Sequence, residues 1–466
     1  MQSPAGILGE IWTSVGGDAN ALARVRLTGE EPQIPSSFRV AVAGQATIAA
    51  AGLAAAEIWH ARSGETQDVA VDMRHAVAEC RSERYLLRDD KPPPPAWDAI
   101  AGVYRTGDGR FIRCHTNFPH HRDAVCRVLG CAQERDEVQA ALLNWKGTDF
   151  ETAAHAAGGV VALMRSHEEW SALPQAQALA ELPLLSIEKI GDAAPKPWPK
   201  GNRPLSGLRA LDLSRVIAGP VAGRTLAAHG ADVLLISGPE LPAIPWLTID
   251  TGRGKLTAFI DLKSEAGRAK LRALLRDADI ISQGYRPRAL AALGFAPEDA
   301  AEISPGIVYV SLSAYGQVGP WAERRGFDSL VQTATGFNHA EGRAAGIDGP
   351  KELPAQMLDH ATGYLMAFGA MMARLRQSRE GGSWHVRASL AQTGRWLWNL
   401  GRLADGLAAP DLSHEAVQAA FIETMPSGFG TLKAVRHAAQ LSRTPAQWSR
   451  PAMPLGSHPP QWPASS

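Results

Sequence analysis

A chain of 466 residues with 45% apolar and 20% charged side chains can bury the cores of two or three domains. Lys plus Arg and Asp plus Glu number 47 each, so no charge excess points to nucleic acid or an anionic membrane as the main partner. A local basic patch for a phosphorylated small molecule remains compatible with that balance.

The start, Met-Gln-Ser-Pro-Ala-Gly, lacks a basic region followed by an apolar one, and no signal peptide is expected. Residues 1–36 predict a helix and then a Pro-rich loop. Val40 to Trp59 is mostly alanine but contains Gln45, Thr47 and Glu57. Its small side chains predict a buried, tightly packed helix over 46–62, ending near Ser63-Gly64, rather than a membrane span. Asp68 to Asp72 alternates like a strand. Residues 81–91 are charged, and Pro92 to Pro95 marks a break. A hairpin follows, with strands 102–106 and 110–114 around Gly107-Asp108-Gly109. His115, His120 and His121 match no helical metal pair and read as exposed loop histidines, so no metal site is expected. Cys80, Cys114, Cys126 and Cys131 form no CxxC pair and no zinc spacing. They read as free thiols of a reducing compartment, and a cytoplasmic location is expected. Amphipathic helices fill 121–181, and residues 193–204 form a Pro-rich linker.

From Leu205 the pattern changes. Strands are predicted over 208–213, 233–236, 257–262, 279–282 and 307–312, with helices over 221–229 and 264–277. Strands alternating with helices imply an α/β fold with a mostly parallel sheet. Ligands of such sheets bind beyond the carboxyl ends of the strands, which puts loops 214–220, 283–288 and 313–320 at the rim of the site. A dinucleotide fingerprint is absent: the first turn carries Gly219 and Gly223, not GxGxxG, and the second strand ends in Ser237-Gly238 with no acid for a ribose. There is no P-loop. The segment from Gly336 to Pro350, with Gly342, Gly346 and Gly349, is a candidate lid.

The stretch Pro354-Ala-Gln-Met-Leu-Asp-His-Ala-Thr-Gly363 precedes a helix predicted over 364–377. Asp359 stands where an N-cap belongs, and the exposed N–H groups there favour its ionised form. Such a carboxylate either caps the helix or serves as a nucleophile beside an oxyanion site. An internal echo bears on the choice. An offset of 317 residues carries Gly52, Ala56, Arg62, Gly64 and Val69 onto Gly369, Ala373, Arg379, Gly381 and Val386. One helix–turn–strand unit is used twice. In the first copy the place of Asp359 falls on Val42, with no acid nearby, so any chemistry belongs to the second copy.

Pro204-Leu-Ser-Gly-Leu-Arg-Ala-Leu-Asp-Leu-Ser-Arg-Val-Ile-Ala-Gly-Pro220, with Gly230-Ala-Asp-Val233, resembles the opening of the family III CoA-transferases. That superfamily includes formyl-CoA transferase, carnitine CoA-transferases and α-methylacyl-CoA racemase. The resemblance continues collinearly through Gly254-Lys255, Ile260 to Lys263, Tyr285-Arg-Pro287, Leu293-Gly294, Tyr309 to Gly316, Gly326-Phe-Asp328 and Asp359 to Gly363. Residues 1–200 resemble a later part of a family chain placed first: the hairpin 102–114 is similar to the start of the small domain, and Ala172 to Gln175 to a late segment. Met453 to His458 resembles the family's closing motif. The resemblance implies a doubly wound, Rossmann-like large domain with catalytic Asp over 201–466, and over 1–200 a partial unit that contributes a smaller α+β domain without a catalytic acid. It also implies a homodimer whose chains interlock.

The chemistry implied is acyl-CoA:carboxylate exchange, with Asp359 attacking the thioester to form an aspartyl anhydride. Coenzyme A thioester is then a substrate, with no resident cofactor. The CoA contacts carried over are Val216 and Ala218 at the adenine, Lys255 near the phosphates, Tyr285 and Arg286 along the ligand, and Arg325 at a position usually basic. Racemases of the family carry Gly-His-Asp where this chain has Gly326-Phe327-Asp328, which counts against racemisation; His339 is the nearby substitute. Ser237-Gly238 and Ala292 stand where the family places charged residues. These losses leave a CoA-binding homologue without transferase activity as the second reading, and an acyl-CoA racemase or isomerase as the third.

Overall fold

The structure is a computed structural model and describes residues 1–95 and 97–464. Near its start, strand β1 (Val25–Thr28), which sequence reading passed over as loop, leads into helix α1 (Val40–Ser63). α1 begins well before residue 46, and it has no polar face because protein surrounds it: Ala49, Ala50 and Leu53 are fully buried. Strand β2 (Val69–Asp72) runs parallel to β1, and Gln440–Leu441, from the far end of the chain, pairs antiparallel with β2's free edge. Helices α2 (Met73–Glu79) and α3 (Ser82–Tyr85) follow directly.

The Asp-Gly hairpin forms as predicted, with β3 (Gly102–Arg105) antiparallel to β4 (Phe111–Cys114). A third strand, β5 (Val161–Leu163), adds to β4, and helix α4 (Pro119–Leu129) covers the sheet. Ile112, Val125, Phe150 and Val161 form the core of this smaller α+β unit.

Ile422–Ser427, Gly430–Val435 and Leu87–Arg88 form a separate small antiparallel sheet, and a seven-stranded sheet with the helices that bear on the site makes up the larger unit. In chain order its elements are β6 (Ser186–Gly191), β7 (Arg209–Leu213), α5 (Ala218–Ala228), β8 (Asp232–Ser237), β9 (Lys255–Phe259), β10 (Ile280–Gln283), β11 (Val308–Ser313), α6 (Asp328–Ala334), α7 (Met357–Glu380), β12 (Ser383–Ser389) and α8 (Leu390–Asn399). The spatial order is β9-β8-β7-β10-β11-β12-β6, parallel throughout except for β6 on the edge. The chain winds outward from β7 to β9, then returns to lay β10 on β7's other side. At that switch point the loops after β7 and β10 diverge and leave a crevice. β6 lies before the linker yet belongs to this sheet, and Gln440–Leu441 belongs to the first sheet, so the division near residue 200 separates sequence rather than space.

The repeat is in register to the residue. Adding 317 carries both ends of α1 onto both ends of α7, and the start of α2 onto that of α8. Asp72 caps α2 by accepting from the His75 N–H, as Ser389 caps α8 by accepting from the Gln392 N–H. Gly52 and Gly369 lie under equivalent valines: an added Cβ would meet Val69 Cγ1 at 3.1 Å in one copy and Val386 Cγ1 at 2.6 Å in the other. The two long helices pack against each other at the centre of the molecule. Where α7 also crosses α5, Gly363 has no room for a side chain: a Cβ would meet the Ala218 carbonyl oxygen at 2.6 Å and Val221 Cβ at 2.8 Å. The corresponding first-copy residue is alanine, Ala46. Gly363→Ala is expected to destabilise the protein by about 1–3 kcal/mol through overpacking, read as a lower urea midpoint.

Candidate active site

Asp359 is the third residue of α7, not its N-cap; Gln356 is the cap residue and makes no side-chain cap bond. The capping carboxylate comes instead from tertiary structure. Asp328, at the start of α6, accepts the Asp359 N–H at 2.8 Å and the Gln332 side-chain amide. Gln332 in turn accepts the Leu353 N–H at 3.0 Å, fixing the approach to α7. Asp359 is 6% exposed, and its carboxyl receives the Ala218 N–H from the first turn of α5. Two helix starts thus converge on it. Burial, the Asp328 charge and the Glu83 charge push its pKa well above the ordinary carboxylate range, against the expectation of a readily ionised cap. Burial also pushes Asp328 up to about 6, although the N–H groups it accepts oppose this.

Asp359 lines a cleft of about 360 Å³. Loops after three adjacent strands form one wall: Arg215 to Ala218 after β7, Gly284 to Arg286 after β10, and Ser313-Ala314 at the end of β11. Arg325 and Phe327 continue it. Phe118, His120 and His121, from the smaller unit of the first half, complete the lining, so both halves of the chain contribute to it. Val216, in the turn after β7, has φ +73°, a conformation that costs a β-branched residue strain and is found at ligand-facing turns.

Residues 205–405 match the family model described as CoA-transferase family III. The likeness to CoA-transferase family III is carried by this stretch of the chain. An acyl-CoA transferase of Gibberella moniliformis is 28% identical over 421 residues, covering 80% of this chain and 73% of its own. An acetyl-coenzyme A transferase of Hypoxylon pulicicidum is 28% identical, covering 64% of this chain and 54% of its own. The human succinyl-CoA:glutarate CoA-transferase is 33% identical, covering 39% and 43%. The chain thus spans from under half to about three quarters of the length of these relatives. A crystal structure of a CAIB/BAIF family protein from Brucella suis aligns over 50% of this chain and 65% of that one, at 26% identity and TM-score 0.38.

Against the CoA-transferase motifs, Val216, Ala218, Tyr285, Arg286, Arg325 and Asp359 all face the one cleft. Lys255 does not. Its ammonium is buried at 1% exposure, bonded to Asp212 Oδ2 at 2.8 Å and to the Pro220 carbonyl oxygen at 2.7 Å. It braces the β7–α5 turn from beneath, and Gly223 leaves it room: a Cβ there would stand 2.5 Å from Asp212 Oδ2. The expected phosphate contact is therefore corrected to a structural ion pair.

The histidines are also corrected. His115 and His121 are buried, and only His120 is exposed. His115 stacks on Phe327 with ring centroids 3.9 Å apart, and His121 meets Phe118 edge-on at 5.7 Å. Burial pushes both imidazoles down to about 3. Their spacing in sequence carried no sign of this, because Phe327 reaches them from the other half of the chain. Gly336 to Pro350 is not a lid. Phe337–Ala344 is a packed helix whose buried Glu341 accepts from Ser36 Oγ at 2.7 Å and the Ser37 N–H at 2.8 Å. His339 is not on the cleft wall. Ser237-Gly238, where a charged pair was expected, lines a second, mainly apolar hollow of about 160 Å³ beyond β8 and β9. Among the described residues no three His, Cys, Asp or Glu side chains group to hold a metal ion.

Proposed function

We propose that this chain is an acyl-CoA:carboxylate CoA-transferase that carries the acyl group on Asp359. A carboxylate oxygen of Asp359 bonds to the thioester carbonyl carbon, the carbon–sulfur bond breaks, and CoA leaves as its thiolate. The product is a mixed anhydride. The acceptor's carboxylate then displaces the donor acid from the aspartyl carbonyl carbon, and the thiolate takes the new acyl group, freeing Asp359. No base is needed to deprotonate the nucleophile once it is ionised. The observation that supports this reading is the position of the Asp359 carboxyl on the wall of the cleft, beside the N–H of Ala218 and in the first turn of α7. Donors so placed stabilise a tetrahedral oxyanion by about 10²–10³ in rate each. Arg286, Arg325 and Arg215 give the groove a positive rim suited to CoA phosphates. The names of the relatives, acyl-CoA and succinyl-CoA:glutarate CoA-transferases, support a carboxylic acid acceptor. Four free cysteines agree with a reducing, cytoplasmic setting.

Racemisation needs a base near the substrate's α-carbon. Phe327 fills the imidazole's place, and an imidazole held near 3, as His121 is, takes up a proton poorly at neutral pH. The test is trapping. The protein is mixed with a panel of acyl-CoAs, quenched with hydroxylamine or borohydride and mapped by mass spectrometry. A modification at Asp359 supports the anhydride route. CoA binding with no adduct from any acyl-CoA would establish the non-catalytic reading, and solvent deuterium at the α-carbon without CoA transfer would establish the racemase.

A further inference from the structure

The first half of the chain reaches the nucleophile from behind as well as lining the cleft. Glu83, on α3, extends a side chain only 13% exposed to His360, the residue after Asp359, with Oε2 to Nε2 at 3.1 Å. A carboxylate can only accept, so Nε2 carries the hydrogen. His360 is 1% exposed, and its Nδ1 has no hydrogen-bond partner among the described residues.

The internal repeat indicates which of these features is particular to the reacting copy. In the first copy, the N–H of Val42, the counterpart of Asp359, is accepted by Glu31 Oε1 at 3.1 Å, as Asp328 accepts the Asp359 N–H. A carboxylate at the helix start is thus common to both copies. His360 has Ala43 as its counterpart, and no imidazole–carboxylate pair stands there. Of the two copies, the one that carries the nucleophile has this pair at the helix start.

The charges around the pair are accounted for as follows. From α3, Arg84 lies 3.7 Å from Glu83 Oε1. Asp250 is neutralised by Arg224 at 2.6 Å and Arg253 at 2.8 Å, and Ser82 donates to it at 2.7 Å. From α6 comes Asp328, which the hairpin's Arg113 faces. Asp328 and Glu83 are the negative charges that act on Asp359.

We propose that Glu83 is a positioning residue for Asp359: bonded to His360, it fixes the first turn of α7 and sets a second carboxylate charge behind the nucleophile. Like charges there raise the affinity of Asp359 for a proton and, once ionised, for an acyl carbon. This rests on the anhydride reading above. Glu83→Gln separates charge from anchoring, because a glutamine oxygen still accepts from Nε2.

The experiment is the pH dependence of kcat/KM for thioester exchange, with the Asp359 adduct followed by mass spectrometry in the same samples. In Glu83→Gln the acidic limb is expected to move down by about one pH unit, the scale of a nearby like charge. Glu83→Asp, which keeps the charge on a shorter stem, is expected to hold the limb and lower the rate. An unmoved limb in Glu83→Gln, or equal limb shifts in both variants, overturns the proposal. Wild-type protein that forms no Asp359 adduct overturns the anhydride reading instead, so the two failures are distinct.

Discussion

Asp359→Asn is expected to bind acyl-CoA and to lose CoA exchange by roughly 10⁴-fold or more, the scale of removing a residue that forms the covalent intermediate. The side-chain amide fills the same volume and can still accept the Ala218 N–H, so binding and fold should survive. Exchange rate, CoA binding and adduct mass measured together separate a lost nucleophile from a lost site. Wild-type kcat/KM should rise with pH along a limb above the ordinary carboxylate range, because burial and the Asp328 and Glu83 charges raise the Asp359 pKa. Stability has the opposite slope. Asp328 shifts from 3.8 unfolded to about 6 folded, so between those values the native state binds more protons than the unfolded chain. The stabilisation from this group is complete below 3.8 and is lost as pH rises through about 6. Rising pH therefore favours the ionised nucleophile while it removes stability from the fold, a trade expected at a working site.

Lys255→Met is expected to cost about 3–5 kcal/mol of stability, because it leaves the Asp212 carboxylate buried without its partner. A residue that merely held a CoA phosphate would instead raise the KM for CoA thioesters and leave the urea midpoint in place. The double variant Lys255→Met with Asp212→Asn removes both charges and is expected to recover part of the loss. Equilibrium unfolding of the two variants decides between the roles. Recovery in the double variant would mark the cost as that of a stranded charge rather than a lost ligand.

Local patterns in this chain were legible because periodicity and turn chemistry are written in neighbouring residues. The Asp-Gly hairpin, the βαβ alternation from Leu205 and the repeat at an offset of 317 all reappear in the structure, and the repeat holds down to the ends of α1 and α7. The motif resemblance singled out Asp359 and five cleft residues that the fold brings together.

Tertiary structure alone decided what surrounds them. Whether Lys255 meets a ligand or Asp212, whether His121 is exposed or forms a wall with Phe118, and whether the end of α7 is capped by Asp359 or by Asp328 all depend on residues distant in sequence. Those choices also set the charge state of the nucleophile. Burial and neighbouring charge govern a pKa, and both are properties of the packed chain, so the sequence by itself determined where a carboxylate stands and the fold determined how readily it ionises.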